Sequence, residues 1–278
     1  MKKISLISCG IFLLALSGGL TSEAVEYPVS GVTQGDIGFE ASDNPPATPD
    51  PDPDPTPDDP DKPDPDPDPN PIGGALRFTH IPNISFGNNN AITSRTQNYY
   101  AKFEQRGAEN AASTHLYPTY FTVEDIRGGT MGWSVTVSGN GIFTEENPTG
   151  KTNELKTTLY FSNPSTKSLT DLDPILYGPE MSNSENEIAV TNDSSSSVRL
   201  ATAIGEKEQG YGKWSVGYGS TSTVTTGKGI DGTGTEGNID ESKKGRNASV
   251  KLTVPNGQII NTKSLYTTTL TWELSDSI

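Results

Sequence analysis

The residues whose types suit catalysis are two pairs of carboxylates, Glu124 with Asp125 and Asp171 with Asp173. Glycoside hydrolysis uses two such groups that face one cleft, about 5 to 10 Å apart. Successive residues of a strand point to opposite faces of a sheet, so Glu124 and Asp125 cannot form that pair by themselves. Asp171 and Asp173 stand in the segment LTDLDP, which is typical of a turn. We therefore predict no glycosidase chemistry from either pair.

The other residues that could build an active site lack suitable partners. His80 and His115 are the only histidines, and neither has a partner at the spacing of a metal site or a triad. The glycines of residues 227–232 match G-x-G-x-x-G but follow TSTVTT and open no helical pattern. The only cysteine, Cys9, lies near the N-terminus. The sequence therefore predicts a protein that is not an enzyme, with no cofactor and no metal.

The first 24 residues have the pattern of a secretory signal peptide. Lys2 and Lys3 precede a short apolar run, and small residues follow up to Ala24. The apolar run is too short to remain as a membrane-spanning helix, so we expect cleavage after Ala24. Cys9 leaves with this segment, which excludes disulfides and cysteine-ligated zinc in the secreted protein. The fold must then depend on a hydrophobic core.

Alternating Asp and Pro dominate the next recognisable segment, residues 44–74. Thirteen of the 21 prolines lie between residues 45 and 71. Proline fixes φ and donates no hydrogen bond, and neighbouring carboxylates repel, so we predict a disordered, extended linker. At about 3.1 Å per residue the proline-rich part reaches about 80 Å. Residues 25–43, ahead of the linker, form a short segment that is long enough for one strand but not for a domain.

Most of the negative charge belongs to the linker. The formal net charge of the chain is −15, and ten Asp and one Lys lie between residues 43 and 71. Phosphate binding requires a clustered basic face, which the sequence lacks. Nucleic acid is therefore excluded as a partner, and anionic wall polymers such as teichoic acids would repel the chain.

The pattern of residues 75–278 predicts an all-β domain, an antiparallel β-sandwich with long loops. Short runs of alternating apolar and polar residues recur between Gly, Asn, Ser and Pro, and no long stretch has helical periodicity. The Gly-, Ser- and Thr-rich residues 220–247 are predicted to be a long loop. The predicted strands are ALRFTHI, NYYAKFE, TYFTVEDI, WSVTVS, LKTTLYFS, VRLA, WSVGYG, SVKLTVP and YTTTLTWEL.

Two of these strands carry a tryptophan followed two residues later by an aliphatic residue. Trp133 and Val135 share one face of their predicted strand, and Trp272 and Leu274 share one face of theirs. A third copy of the pattern begins at Trp214. Either the rings fill the core, or an exposed indole stacks on sugar rings. Because each tryptophan shares its strand face with an aliphatic residue, we favour the interpretation that the rings fill the core.

The order of these segments resembles the WxL-domain surface proteins of low-GC Gram-positive bacteria. The resemblance rests on the signal peptide, GDIGFEASD, the Pro-Asp linker, LRFTHIPNISFG, VEDIRGGTMGWSV and YTTTLTWELSDS. It implies a domain at residues 75–278 that binds peptidoglycan without a covalent bond. It also assigns Trp133, Val135, Trp272 and Leu274 as the motif or wall-binding residues. Val135 departs from the family pattern, which has Leu at this position.

The resemblance further implies a location and partners. We expect a secreted protein on the cell wall, working with other WxL proteins and a membrane-anchored WxL-interacting protein. No sortase signal or hydrophobic tail follows Leu274, so a folded surface would hold the protein on the cell. Two alternatives stay open: a subunit of a surface complex held by the membrane-anchored partner, and an adhesin for host surface molecules. The segment at residues 25–43 is a candidate strand for binding a partner.

Overall fold

The computed structural model describes nine ranges of the chain: 27–40, 72–88, 90–92, 94–106, 115–129, 131–182, 188–191, 197–219 and 246–276. The predicted signal peptide, the proline-rich part of the linker and most of the predicted loop at 220–247 lie outside the described residues. None of the helices within those ranges is long and apolar enough to cross a membrane.

Strands make up nearly all of the regular structure in these ranges, and most pair antiparallel. The prediction of an all-β antiparallel sandwich is therefore confirmed. One helical turn, α1 (Pro174–Tyr177), and one 3-10 turn (Gly205–Lys207) interrupt the strands. The strands in chain order are β1 (Val29–Glu40), β2 (Ile72–Gly73), β3 (Leu76–His80), β4 (Ile84–Ser85), β5 (Asn90–Ala91), β6 (Gln97–Lys102), β7 (Glu104–Arg106), β8 (His115–Tyr117), β9 (Thr119–Asp125), β10 (Trp133–Gly139), β11 (Ile142–Glu145), β12 (Glu154–Lys156), β13 (Thr158–Phe161), β14 (Pro164–Ser168), β15 (Glu180–Met181), β16 (Ile188–Thr191), β17 (Ser197–Ala203), β18 (Gly212–Tyr218), β19 (Arg246–Val254) and β20 (Leu265–Ser275).

One predicted strand, LKTTLYFS, is two strands in the structure. Thr157 separates β12 from β13 because it bonds elsewhere: its N–H and its hydroxyl both donate to the carbonyl of Gly141, at 2.8 and 3.0 Å. The chain therefore changes sheets at Thr157. β12 joins β11, whereas β13 pairs with β16 and β19.

The described strands form three large sheets and one hairpin. The nine-stranded sheet has the order β12-β11-β20-β10-β17-β15, with β1 on the other edge of β20 and β4 and β5 beside β1. The second sheet has the order β16-β13-β19-β6, and the third β14-β18-β9-β3-β2. β7 and β8 form the hairpin, and β1 pairs in parallel with β4 and β5.

Aromatic rings join the three sheets into one core. The Trp272 ring on β20 lies 5.8 Å from the Phe121 ring on β9 and 6.4 Å from the Phe161 ring on β13, measured between centroids. Phe161 in turn lies 5.0 Å from Tyr218 on β18. Because these strands belong to different sheets, Trp272 sits where all three meet.

The strand before the linker is an internal part of the largest sheet. β1 pairs antiparallel with β20 over ten positions, from Val29 opposite Leu274 to Gly38 opposite Leu265. The sequence-based division sets residues 25–43 apart from a domain at 75–278, whereas the structure places their strand beside the last strand of the chain. One backbone edge of this candidate partner-binding strand is thus paired with β20.

The Glu145 carboxylate forms several hydrogen bonds at the end of the sheet where β20 begins. The Glu145 carboxylate accepts hydrogen bonds from the Asn261 side-chain amide (2.8 and 2.9 Å), the Ser264 hydroxyl (2.7 Å) and the Asn153 backbone N–H (3.3 Å). These bonds, that from Asn261 above all, lower the pKa of Glu145 below its ordinary value of 4.5. The ionised form therefore stabilises the fold.

We expect Glu145→Gln to reduce stability in a pH-dependent way. A lowered pKa in the folded state means that the stabilisation is present above the ordinary pKa and disappears as the pH falls through the folded-state value. The melting temperature of Glu145→Gln should lie below that of the natural chain at pH 7, and the two should converge as the pH falls below 4.5 and through the lowered pKa of Glu145. Glu146→Gln, at the exposed neighbouring residue, is the control. A pH-independent difference would contradict the assignment.

Candidate functional site

The motif residues lie side by side in the middle of the largest sheet. Val135 on β10 pairs with Leu274 on β20, and Val137 pairs with Trp272. Trp133, Val135, Trp272 and Leu274 are each 0% exposed. Stacking on a sugar requires an accessible ring face. These buried side chains therefore fill the core.

Each tryptophan holds a neighbouring element through its indole N–H. Trp133 donates to the Gly210 carbonyl (3.0 Å), and Trp214 donates to the Tyr211 carbonyl (2.8 Å). Trp272 donates to the Thr33 hydroxyl on β1 (2.9 Å). Buried donors require partners, so these bonds fix the position of each acceptor. Two tryptophans thus hold consecutive carbonyls of one turn, and the third holds β1.

Gly210 is matched closely to the ring that binds it. Its φ is +84°, a conformation that side chains disfavour, and a Cβ here would lie 2.3 Å from Cβ of Ala203 and 2.5 Å from Nε1 of Trp133. Any larger residue would displace the indole. The turn at residues 209–212 and the Trp133 ring therefore form one unit.

Two further loops are bonded to this turn. The Gly210 N–H donates to the Tyr177 carbonyl at the end of α1 (2.8 Å). Asp173 caps the start of α1, since its carboxylate accepts from the Ile175 N–H (2.9 Å). On the other side, Gly212 pairs with Asp125 at the end of β9. Three segments therefore meet at one end of the sandwich: residues 126–129 with 131–132, residues 172–178 and residues 205–211.

The two carboxylates on β9, Glu124 and Asp125, each form an ion pair with an arginine. Asp125 is 2% exposed and accepts from Nε and Nη2 of Arg127 (2.9 and 2.8 Å), and Arg127 also donates to the Gly132 carbonyl (2.6 Å). The hydrogen bond to Asp125 raises the pKa of Arg127. Glu124 pairs with Arg77 instead (2.7 Å). Each carboxylate thus has its own arginine and a structural role.

The other candidates for chemistry also take structural positions. Asp171 adopts a φ of +56° in its turn, as the turn interpretation of LTDLDP predicts. Nε2 of His80 lies 3.2 Å from the Glu104 carboxylate, and its ring centroid lies 4.3 Å from that of Tyr120. The backbone of His115 pairs with Arg106 in the β7–β8 hairpin. The described ranges contain no group of three or more His, Cys, Asp or Glu that could hold a metal ion.

The three loops expose large apolar side chains, which we call the apolar loop cluster. Its members are Ile126 (52% exposed), Met131 (61%), Ile175 (90%), Leu176 (59%) and Tyr211 (46%). Exposed apolar residues concentrated in one region of a surface are typical of a binding site.

Only two other large apolar residues in the described ranges are comparably exposed. Val32 lies on the outer face of β1, and Ile259 lies in the loop between β19 and β20. The apolar loop cluster could not be predicted from the sequence, because its members are scattered in the polar segments DIRGGTM, DPILYG and GYG.

A family model described as WxL domain surface cell wall-binding matches residues 27–277. The match begins just before β1 and extends past β20, so it includes both sides of the linker. No curated protein and no solved structure matches the chain.

Proposed function

The chain belongs to the WxL domain surface cell wall-binding family, and on that premise we propose that the sandwich attaches it non-covalently to peptidoglycan through the apolar loop cluster. The protein acts as a binding module and not as an enzyme. The observation that carries this proposal is the convergence of three loops, each held by hydrogen bonds, that display five exposed apolar side chains.

The chemistry of the cluster suits a polymer that offers sugar faces and methyl groups for contact. The Tyr211 ring can stack on the face of a sugar, and the aliphatic side chains can pack against the methyl groups of peptide stems. Glu208 in the third loop and Asp171, which directly precedes the second, are exposed and can accept hydrogen bonds from sugar hydroxyls. Since the net charge of the chain is −15, anionic wall polymers repel it, and the attraction must come from such contacts.

Rigid support of the loops lowers the entropic cost of binding. Trp133 and Trp214 hold Gly210 and Tyr211 before any ligand arrives. Of the motif residues, Trp133 thus serves wall binding by positioning the turn together with Trp214, while Tyr211 makes the contact.

Co-sedimentation with purified sacculi tests the proposal. The predicted mature chain, residues 25–278, should bind, and Tyr211→Ala combined with Ile175→Ser should lower the affinity at least tenfold, which is about 1.4 kcal/mol. Both side chains are exposed, so the variant should melt at the temperature of the natural chain. Since the contact is apolar, raising the salt concentration should not weaken binding.

Ile259→Ser is the matched control, because Ile259 is 75% exposed but lies at the other end of β20. It should sediment like the natural chain. Equal binding by the Tyr211→Ala, Ile175→Ser chain would contradict the assignment of the surface.

A second candidate function is a protein contact made by the same surface, with a membrane-anchored WxL-interacting protein or other WxL proteins as partner. Four of the five cluster residues are Ile, Leu or Met, which are common in the apolar centres of protein interfaces. In that case purified sacculi would not bind the chain, whereas cells carrying the partner would retain it. The adhesin hypothesis depends on the loop at 220–247, which lies mostly outside the described residues, and it stays a prediction.

A further inference from the structure

Every described contact of β1 with another element is made with residues from Ile72 onward. On one edge β1 pairs with β20 over ten positions. On the other edge the Gly38 N–H donates to the Gly87 carbonyl (2.7 Å), and the Asp36 carbonyl accepts from the Phe86 N–H (2.8 Å). Since only residues 41–71 connect β1 to these partners, a β1 from any copy of the chain fits the same place.

The linker is much longer than the gap it has to close within one copy. It leaves the sheet after Glu40 and returns at Ile72, whose side chain lies against Gly31: a Cβ added at Gly31 would be 2.5 Å from Cδ1 of Ile72. Gly31 and Glu40 are nine residues apart on β1, or about 30 Å. In the extended form that its sequence predicts, the 31-residue linker reaches about 96 Å.

A stiff linker that exceeds its span disfavours closure within one chain. The effective concentration of a tethered segment is highest when the r.m.s. length of the linker matches the distance between the two sites, and it falls for longer linkers. Alternating Pro and Asp make a chain semi-rigid, so turning back through about 30 Å carries an additional free-energy cost. Donation of β1 to a neighbouring copy requires no such reversal of the chain and preserves every β1 contact.

We propose that β1 is exchanged between copies, so that β1 of one chain pairs with β20 of a second copy and joins the two domains through the extended linker. The bonds made to the exchanged strand, including that between Trp272 and Thr33, are the same as those within one copy. Exchange in one direction leaves an open site at one end and a free β1 at the other, so it extends to further copies. Dense packing of the protein on a surface favours such chains.

Site-specific disulfides distinguish the two arrangements, because the predicted mature chain has no cysteine of its own. Val32 and Thr271 lie directly opposite each other in the β1–β20 register, and Val32 is 68% exposed. A Val32→Cys chain and a Thr271→Cys chain, carrying tags of different length, are unfolded together, refolded at high concentration and oxidised. A mixed disulfide between the two chains requires β1 of one copy to lie beside β20 of the other.

The mixed dimer should increase with protein concentration and exceed several-fold that of a mismatched pair, Val32→Cys with Thr267→Cys. Thr267 lies opposite Asp36, about 13 Å along the sheet from Val32, which is too far for a disulfide. Replacement of residues 41–71 by a Gly/Ser sequence of equal length should lower the yield, since a flexible linker closes easily.

The proposal fails if the mixed disulfide never exceeds the mismatched pair while a Val32→Cys, Thr271→Cys chain crosslinks only within itself. A yield that does not change with the Gly/Ser linker also contradicts it. These outcomes are independent of wall binding, because no sacculi are present.

Discussion

A chain that begins at residue 44, after β1, should show no cooperative thermal unfolding. The truncation removes β1, which pairs with β20 over ten positions and contributes the buried side chains of Ile37 and Phe39. It also leaves the Trp272 N–H without its acceptor in a buried site, which alone costs about 1 to 3 kcal/mol. Domains have only about 5 to 15 kcal/mol of net stability, so these combined losses should unfold the sandwich. Differential scanning calorimetry measures this directly.

A synthetic peptide of residues 27–40 should restore the transition to the truncated chain, because it supplies the missing strand. A peptide with Thr33→Val, which lacks the hydroxyl, should restore it less well. A truncated chain that melts cooperatively near the temperature of the natural chain would show that β1 is dispensable. Wall-binding measurements therefore require residues 25–278, since residues 75–278 lack this strand.

Replacing the tryptophan of the second motif should be among the most damaging single changes. Trp272→Ala removes the ring between Phe121 and Phe161, and large-to-small substitution of a buried aromatic costs about 3 to 5 kcal/mol. Urea unfolding should report this loss as a lower midpoint with little change in slope. Trp272→Phe keeps a ring but loses the bond to Thr33, so its effect should be smaller.

A double-mutant cycle separates the bond from the packing. Thr33→Val removes the acceptor, and its cost should not add to that of Trp272→Phe, because each change breaks the same bond. Ile259→Ala, at an exposed position, should change the free energy of unfolding by no more than about 0.5 kcal/mol. A Trp272→Ala chain as stable as the natural one would contradict the place of this ring in the core.

The two motifs have different structural partners even though they lie side by side. Trp133 holds the turn at residues 209–212, and Trp272 holds β1. Val135 stands where the family pattern has Leu, and it packs opposite Leu274 in the sheet. A branched aliphatic residue therefore satisfies the packing at this position, as the sequence suggests.

Strands with regular alternation could be predicted from the sequence, but their neighbours could not. In β20 the apolar residues Tyr266, Leu270, Trp272 and Leu274 occupy every inward position except Thr268, which makes the strand evident. The place of β1 is not evident, because its partner Trp272 lies 239 residues from Thr33 along the chain. The intervening Asp-Pro linker also has the composition of a domain boundary. Local patterns contain no information on such distant pairing.

Short polar strands also could not be predicted from sequence patterns. β14, with the sequence PSTKS, begins with proline and has no large apolar residue, yet it pairs with β18 through all five positions. It lies at the edge of its sheet, where proline and polar residues are tolerated. The apolar loop cluster could not be predicted for a related reason, since only the pairing of the sheets brings its three loops to one end.

Hydrogen exchange of the predicted mature chain, residues 25–278, with and without sacculi tests most directly the claim that the apolar loop cluster binds the wall. We predict protection of amides at residues 126–132, 172–178 and 205–211, where the apolar loop cluster lies, with little change in the already protected β10 and β20. Protection confined to the opposite end, around Ile259 and Asn261, or no difference between free and wall-bound protein, would contradict it.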